Sequence, residues 1–393
     1  MADKNKKKLM ELLKEPGNDE CADCGDSLGV QENGESAGTT GSSASRRTDW
    51  ASYNLGIFLC VNCASIHRML GAHISKVKCI QLDQWNDDQV EFMAATGNLK
   101  AKEQYEQYVP VFYKRPTTGE PQVLREQWIR AKYERHEFMD VDRQTYTSGH
   151  KTGYLWKRGK EDSRFQSRLF VLSEEENVLK YYNKQDAREP KAAIAVSELN
   201  AVFVPEKIGN PNGMQLCYLK DGQTRNIYLY TDDGKDIVEW YNAIRCANYN
   251  RLKVAYPGAS DDELTAQLTK DFVMEGWLYK TGPKGNEAFK KRWFTLDDRR
   301  LSYCSDPLNA NPKGEVFLGH RTDNFAVREG VKPGDHDQDY AFTLHTPDRD
   351  YVMSADTREE RKRWMDTLRE VINTPLNPKD SAQVQAKVKG DGL

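Results

Sequence analysis

Two Cys-x-x-Cys pairs, Cys21/Cys24 and Cys60/Cys63, constrain this chain more than any other feature. Four thiolates in two short pairs match a tetrahedral Zn²⁺ site, because each pair bites the metal from one turn. With all four positions filled by protein, no coordination site remains for a water. The reading is therefore one structural zinc. Unliganded buried thiols and redox chemistry are the alternatives, but no thioredoxin-like βαβ pattern surrounds the pairs. The remaining cysteines, Cys79, Cys217, Cys246 and Cys304, are scattered. That usage fits a reducing compartment, with metal on the pairs and no disulfide framework.

At 393 residues the chain calls for two to four domains. A net charge of −3 argues against a general nucleic-acid binder, while leaving room for local basic patches. Lys4–Lys14 carries Leu9, Leu12 and Leu13 on one side and is expected to be a short helix stopped at Pro16-Gly17. It is too interrupted for a signal peptide. No run approaches the roughly 20 apolar residues of a membrane span. Membrane contact, if any, is expected to be peripheral.

Residues 26–49 are half Gly, Ser or Thr and read as a flexible insertion. They stretch the Cys24–Cys60 gap to 35 residues. Against a gap of about 16, closing that loop costs only roughly 0.7 kcal/mol more. Order resumes at Trp50, with Gly56–Leu59 leading into the second pair. Residues 75–82 alternate as a strand. Asn86 caps a helix ending near Gly97, a second helix stops before Pro110, and Pro121–Phe138 reads as a long helix. This gives a helical zinc-centred domain over 4–138, then a linker at 139–150.

Beyond it the chain repeats. Gly153-Tyr-Leu-Trp-Lys157 returns as Gly276-Trp-Leu-Tyr-Lys280, and Arg168-Leu-Phe-Val-Leu172 as Arg292-Trp-Phe-Thr-Leu296. Lys180-Tyr181-Tyr182 is echoed by Leu301-Ser302-Tyr303, and each copy closes on an amphipathic helix holding one tryptophan, Trp240 or Trp364. Offsets of 123, 124 and 124 residues for the two strand motifs and the tryptophan mark two copies of one strand-rich domain, at 151–250 and 272–373. Ser260-Asp-Asp-Glu263 is a capping box in the 251–271 linker helix. The tail at 374–393 is expected to be disordered. Each first hairpin gathers bases. The first copy has Lys157, Arg158, Lys160, Arg164 and Arg168 against two acids; the second has Lys280, Lys284, Lys290, Lys291 and Arg292 against one. Converging bases suit a multiply phosphorylated inositol headgroup through charge-assisted hydrogen bonds, aided by anionic lipid.

Several of these stretches carry a resemblance. The run Trp50-Ala-Ser-Tyr-Asn-Leu-Gly-Ile-Phe-Leu-Cys60, then Cys63 with Arg68 five residues on, then His67-Arg-Met-Leu-Gly-Ala-His-Ile-Ser-Lys76, resembles the Arf GTPase-activating family. A zinc domain followed by two pleckstrin-homology (PH) copies is similar to its dual-PH branch. The expected fold class is therefore multidomain α+β: a small helical Cys₄ zinc finger, then two PH-type β-barrels, each capped by a C-terminal helix.

The resemblance implies that Arg68 is an arginine finger supplied in trans to an Arf-family GTPase, whose own active site holds GTP and Mg²⁺. It also places Trp50 and Asp83 near the GTPase-facing surface, with a core place for Trp50 and a loop brace at Asp83 as the alternatives; His67 and His73 read as structural, since four thiolates already satisfy the zinc. Arg is suited to the finger role, being permanently charged and forked. The same likeness implies phosphoinositide contacts at Lys157, Arg158, Arg168 and Tyr182 in the first copy and Lys280, Lys290 and Arg292 in the second. Gln166 stands where a base is expected. The functional reading is a GTPase activator without independent catalysis, recruited by phosphatidylinositol 3,4,5-trisphosphate. A monomer that binds no nucleic acid is expected. It would be cytoplasmic and drawn to the plasma membrane, with the nucleus left open as a second address. The alternative is a non-catalytic phosphoinositide adaptor whose zinc domain docks partners.

Overall fold

The computed structural model describes residues 2–28, 49–160, 162–184, 186–282, 287–331, 338–377 and 380. Most of the expected 26–49 insertion, and the tail beyond 380, lie outside the described residues.

Apolar spacing sets the N-terminal part. Helix α1 (Ala2–Leu12) buries Leu9, Leu12 and the following Leu13 against α3 (Asp87–Ala95), helped by Asn5 Nδ2, which donates to the Trp85 carbonyl at 3.0 Å. Three short strands, β1 (Trp50–Ser52), β2 (Ile57–Leu59) and β3 (Val77–Cys79), form an antiparallel sheet in the order β2-β1-β3. Helix α2 (Val61–Met69) starts directly after β2. Asn86 caps α3 in a full capping box with Gln89, and α4 (Gly97–Tyr105) and α5 (Gln122–Tyr133) complete the unit. The sequence placed the end of α5 at Phe138. It stops at Tyr133 because His136 takes φ +53°, and Glu137 N–H turns back to the Ala131 carbonyl.

The expected linker at 139–150 is packed rather than free. It forms two short 3-10 turns, Val141–Arg143 and Thr145–Thr147, and buries Tyr146 among Phe112 and Tyr113.

The two repeats share one topology. The first contains β4 (His150–Arg158), β5 (Phe165–Ser173), β6 (Val178–Tyr182), β7 (Ala192–Ala195), β8 (Asn200–Phe203), a single helical turn α6 (Pro205–Ile208), β9 (Met214–Lys220), β10 (Gln223–Tyr230) and helix α7 (Gly234–Ala255). Helix α8 (Asp261–Thr265) follows, opened by the Ser260/Glu263 capping box. The second contains β11 (Met274–Lys280), β12 (Lys290–Asp297), β13 (Arg300–Cys304), β14 (Gly314–Phe317), β15 (Ala326–Glu329), β16 (Ala341–His345), β17 (Asp350–Ser354) and helix α9 (Arg358–Asn373). The sheet orders are β7-β6-β5-β4-β10-β9-β8 and β14-β13-β12-β11-β17-β16-β15. Among the described residues no ladder joins the two edges, so each sheet curls in the PH manner without closing into a barrel.

The repeated glycine and tryptophan explain each other. The Trp240 indole lies 3.5 Å from where a Cβ of Gly153 would stand, and Trp364 lies 3.6 Å from that of Gly276. In both copies the closing helix seats its indole on a first-strand position with no side chain, and the ring reaches full burial there.

Helix α7 runs eight residues past the expected Ala247, because its second half has another surface to cover. Buried Arg245 donates from Nε to the Phe112 carbonyl at 2.6 Å, and Asn242 Oδ1 accepts from Lys114 N–H at 3.2 Å. Tyr249 packs against Phe112. The zinc unit and the first repeat thus share one continuous apolar core. The second repeat docks on the outer face of β10. Asn226 N–H donates to the Ala310 carbonyl at 2.8 Å, Tyr228 OH to that of Pro307 at 2.8 Å, and Thr224 N–H to Glu315 Oε1 at 2.8 Å. Arg299, buried at 4 %, ties down Thr374 and Pro375 by their carbonyls. The start of the expected disordered tail is therefore anchored. Among the described residues no helix is long and apolar enough to cross a membrane.

Candidate functional site

Cys21 and Cys24 sit in a tight turn closed by Gly25 N–H to the Cys21 carbonyl. Cys60 is the N-cap of α2 and Cys63 lies in its first turn. The four sulfur atoms lie within 4.8 Å of one another, with Cys24 and Cys60 at 3.6 Å, and all four residues are buried. A tetrahedral zinc with bonds of about 2.3 Å needs sulfurs about 3.8 Å apart, so donor type and spacing both fit. The thiols also conflict with each other as they stand. Contact with neighbouring sulfurs pushes Cys21 and Cys63 up and pulls Cys24 and Cys60 down. A divalent cation that lets all four ionise removes the conflict. This cluster is a zinc-binding site.

A buried polar chain locks the first pair to the helices. Asp23, between the two cysteines, accepts from Lys132 Nζ at 3.2 Å and pairs with His67 Nε2 at 2.9 Å. His67 Nδ1 meets Ser75 Oγ at 2.9 Å, and Lys132 also reaches Glu106 at 2.8 Å. Burial alone would raise the Asp23 carboxyl. The Lys132 ammonium and the His67 ring overcome it and hold the group below the usual carboxylate range. His67 is thereby fully committed inside the domain.

Its neighbour Arg68 points the other way. It is exposed in the last turn of α2, with its guanidinium carbon 4.1 Å from the centre of the Trp50 ring. Among the described residues the guanidinium makes no hydrogen bond or ion pair. Trp50 opens β1, is half-buried, and its Nε1 has no hydrogen-bond partner among the described residues. One tryptophan therefore belongs to the core by one edge and backs Arg68 by its face. Val61, seven residues before Arg68 on the same side of α2, is 56 % exposed, as is Met69. Cation and apolar surface together form one face, on which the Trp50 ring backs the charge. Asp83 is placed differently. Its carboxylate accepts from Cys79 N–H at 2.6 Å and its own N–H returns to the Cys79 carbonyl, so it braces the turn after β3.

In the second repeat, strand alternation brings Lys280, Lys290 and Arg292 to one face, through the pairings Lys280↔Lys290 and Leu278↔Arg292. They line a cavity of about 350 Å³ with Thr281, Gly282, Glu287, Tyr303 and Lys313. Lys280 lies over the Tyr303 ring at 4.9 Å and donates to the Thr281 carbonyl at 2.7 Å. Burial, with Arg349 and Arg292 nearby, pulls its ammonium down to about 8. A site that depresses a buried lysine's charge in this way is short of anions.

The first repeat keeps Lys157 and Arg168 on the equivalent face, opposite Gln166 and Leu155 respectively. Burial, Arg168 and Lys191 lower the Lys157 ammonium. Two expected contacts are corrected here. Arg158 is one residue from Lys157 and so faces away; its Nη1 donates to the Leu308 carbonyl of the second repeat at 2.8 Å. Tyr182 pairs with Leu169 and also faces out. The residue matching Tyr303 is Tyr181, which pairs with Phe170 as Tyr303 pairs with Phe294 and lies under Lys157 at 5.0 Å. Lys313 and Lys191 were not singled out from sequence. Each donates its backbone N–H to the carbonyl of the site tyrosine, Tyr303 or Tyr181. Their separation, 122 residues, nearly matches the repeat offset and was the available signal.

Known proteins support this layout. Residues 42–142 match the ArfGap family model, a GTPase activating protein for Arf, and residues 149–248 and 272–373 each match the PH domain model. The ArfGap match begins after the first cysteine pair. The chain is 44 % identical over 391 residues to rat Arf-GAP with dual PH domain-containing protein 2, covering 98 % of both chains. It is 43 % identical over 382 residues to the human protein of the same name, covering 96 % of this chain and 95 % of that one. Human stromal membrane-associated protein 1 is 40 % identical over 132 residues, 34 % of this chain and 24 % of the relative. With a four-cysteine zinc unit leading two PH folds along nearly the whole matched length, the chain belongs to the dual-PH branch of the Arf GTPase-activating family.

Proposed function

We propose that this protein accelerates GTP hydrolysis on an Arf-type GTPase by inserting Arg68, and that its PH domains recruit it to phosphoinositide-bearing membrane. The observation that carries the first part is the exposed Arg68 guanidinium. It is backed by Trp50 and grows from a helix whose start is fixed by two zinc ligands. GTP hydrolysis builds charge on phosphoryl oxygens, and a cation fixed in advance stabilises it by about 10³- to 10⁵-fold. One zinc ion, bound by Cys21, Cys24, Cys60 and Cys63, would tie the loop before β1 to α2 and give Arg68 its launch point. GTP and Mg²⁺ belong to the partner. The apolar residues Val61 and Met69 would seat the GTPase around the inserted charge.

The basic cavities support the second part. Lys280, Lys290, Arg292 and Lys313 surround a space of about 350 Å³ that fits a polyphosphorylated inositol ring. The first repeat, with Gln166 in place of the second repeat's Lys290, would bind more weakly. Two linked sites would then reinforce each other at a membrane. The decisive assay sediments the protein with vesicles bearing phosphatidylinositol 3,4,5-trisphosphate. Arg292→Cys should lose most binding and Arg168→Cys a smaller share; equal binding to neutral vesicles would remove the recruitment claim. Single-turnover hydrolysis by Arf on those vesicles distinguishes an activator from a non-catalytic adaptor.

A further inference from the structure

The residues that deliver Lys313 to the second pocket are the same ones that hold the two PH domains together. Within 305–310, four backbone carbonyls are taken by the first repeat: Pro307 by Tyr228 OH at 2.8 Å, Leu308 by Arg158 Nη1 at 2.8 Å, Asn309 by Asn226 Nδ2 at 3.3 Å, and Ala310 by Asn226 N–H at 2.8 Å. Asn309 folds the segment on itself. Its Oδ1 accepts from Ser305 N–H and Asp306 N–H at 3.2 and 3.0 Å. Just past the pocket residue, Glu315 accepts from Thr224 N–H at 2.8 Å and Thr224 Oγ1 at 3.0 Å, and pairs with Arg300 at 3.0 Å. Lys313 lies three residues after one grip and two before the other. Its own N–H is fixed to Tyr303, whose ring lines the pocket.

A lysine on a free loop samples many positions and loses that freedom when it meets a phosphate. A lysine on a segment clamped at both flanks has lost it already. We infer that the contact between the two PH domains pre-sets the second pocket, so that headgroup occupancy there and closure of the interdomain contact strengthen each other. The device makes the first domain a structural cofactor of the second site. It also makes binding report back: by reciprocity, a ligand favoured by the closed contact must tighten that contact by the same factor. The inference rests on the polyphosphoinositol reading of the second pocket, whether the group comes free or as a lipid headgroup.

The test uses the full chain carrying Arg168→Ala, which silences the first site, titrated calorimetrically with inositol 1,3,4,5-tetrakisphosphate. Tyr228→Phe and Asn309→Ala, neither of which lines the pocket, should each weaken binding by at least about 5-fold, the value of a single hydrogen bond. Saturating probe should slow hydrogen exchange at the amides of Thr224 and Asn226, which donate across the interface. A parallel arm with vesicles of phosphatidylinositol 3,4,5-trisphosphate identifies the source; the same weakening should appear with whichever of the two the Arg168→Ala chain binds. Unaltered affinity in both variants, or unaltered exchange on saturation, overturns the coupling alone. No binding of either probe by the Arg168→Ala chain overturns the headgroup reading of the second pocket and the coupling with it.

Discussion

An arginine at the end of a helix sweeps a wide arc unless something limits it. Here the limit is Trp50, whose ring lies 4.1 Å from the Arg68 guanidinium carbon. Such a contact contributes about 0.5–2 kcal/mol, so Trp50→Leu should lower stimulated hydrolysis by about 2- to 30-fold while zinc content stays intact. Unchanged stimulation would assign Trp50 to the core only. Lys280 gives a second prediction at this scale. Burial and the nearby arginines pull its ammonium from 10.5 to about 8. The headgroup needs the charged form. Affinity should therefore be flat with respect to this group below pH 8 and fall as pH rises through 8, with proton uptake on binding. Lys280→Arg should abolish that uptake in calorimetry run in buffers of different ionisation enthalpy. For stability the sign is opposite. The fold is disfavoured by this ammonium below pH 8, and the penalty fades between 8 and 10.5 as the unfolded chain holds the extra proton.

The elements show which parts of the sequence spoke clearly. The cysteine pairs, the recurrence of the strand motif and of the closing-helix tryptophan, and the Asn86 and Ser260 caps were legible, because each is a repeat or a local chemical requirement with few solutions. Strand face was harder. Tyr181 and Tyr182 are adjacent aromatics, and a one-residue difference in register sends one into the site and the other away from it. Charge counting over a hairpin likewise gathered Arg158 with Lys157, though alternation separates them. Helix length depended on distant partners: α7 runs past Ala247 with Tyr249 packed on Phe112 of the zinc unit and Leu252 buried, which no local signal announces. At this scale the zinc prediction belongs. Cys60→Ser removes a ligand that is also the N-cap of α2, and should lose bound metal and GTPase stimulation together. Metal analysis should give one zinc per chain in the parent protein. A metal-free Cys60→Ser chain with full stimulation would contradict the knuckle's role.

For the whole molecule, the contacts describe a joined body rather than modules on strings. Arg245 crosses from the first PH domain to Phe112 of the zinc unit, and the loop at 305–310 crosses from the second PH domain to the first. Arg245→Ala leaves a buried carbonyl unpaired at a cost of about 1–3 kcal/mol. It should split a single calorimetric unfolding transition into separate zinc-unit and PH transitions; one unaltered transition would show that the interface contributes little cooperativity. Rigid joining also makes orientation a property of the entire chain. A membrane engaged by the basic pockets would hold Arg68 at a fixed attitude to a membrane-bound GTPase, which relates the two halves of the proposed function.

The most direct measurement is single-turnover GTP hydrolysis by Arf on phosphoinositide vesicles, with the parent chain and with Arg68→Lys. The account predicts that Arg68→Lys keeps its zinc, its unfolding temperature and its vesicle binding, yet loses stimulation by about 10³-fold or more. Stimulation equal to the parent's would contradict it.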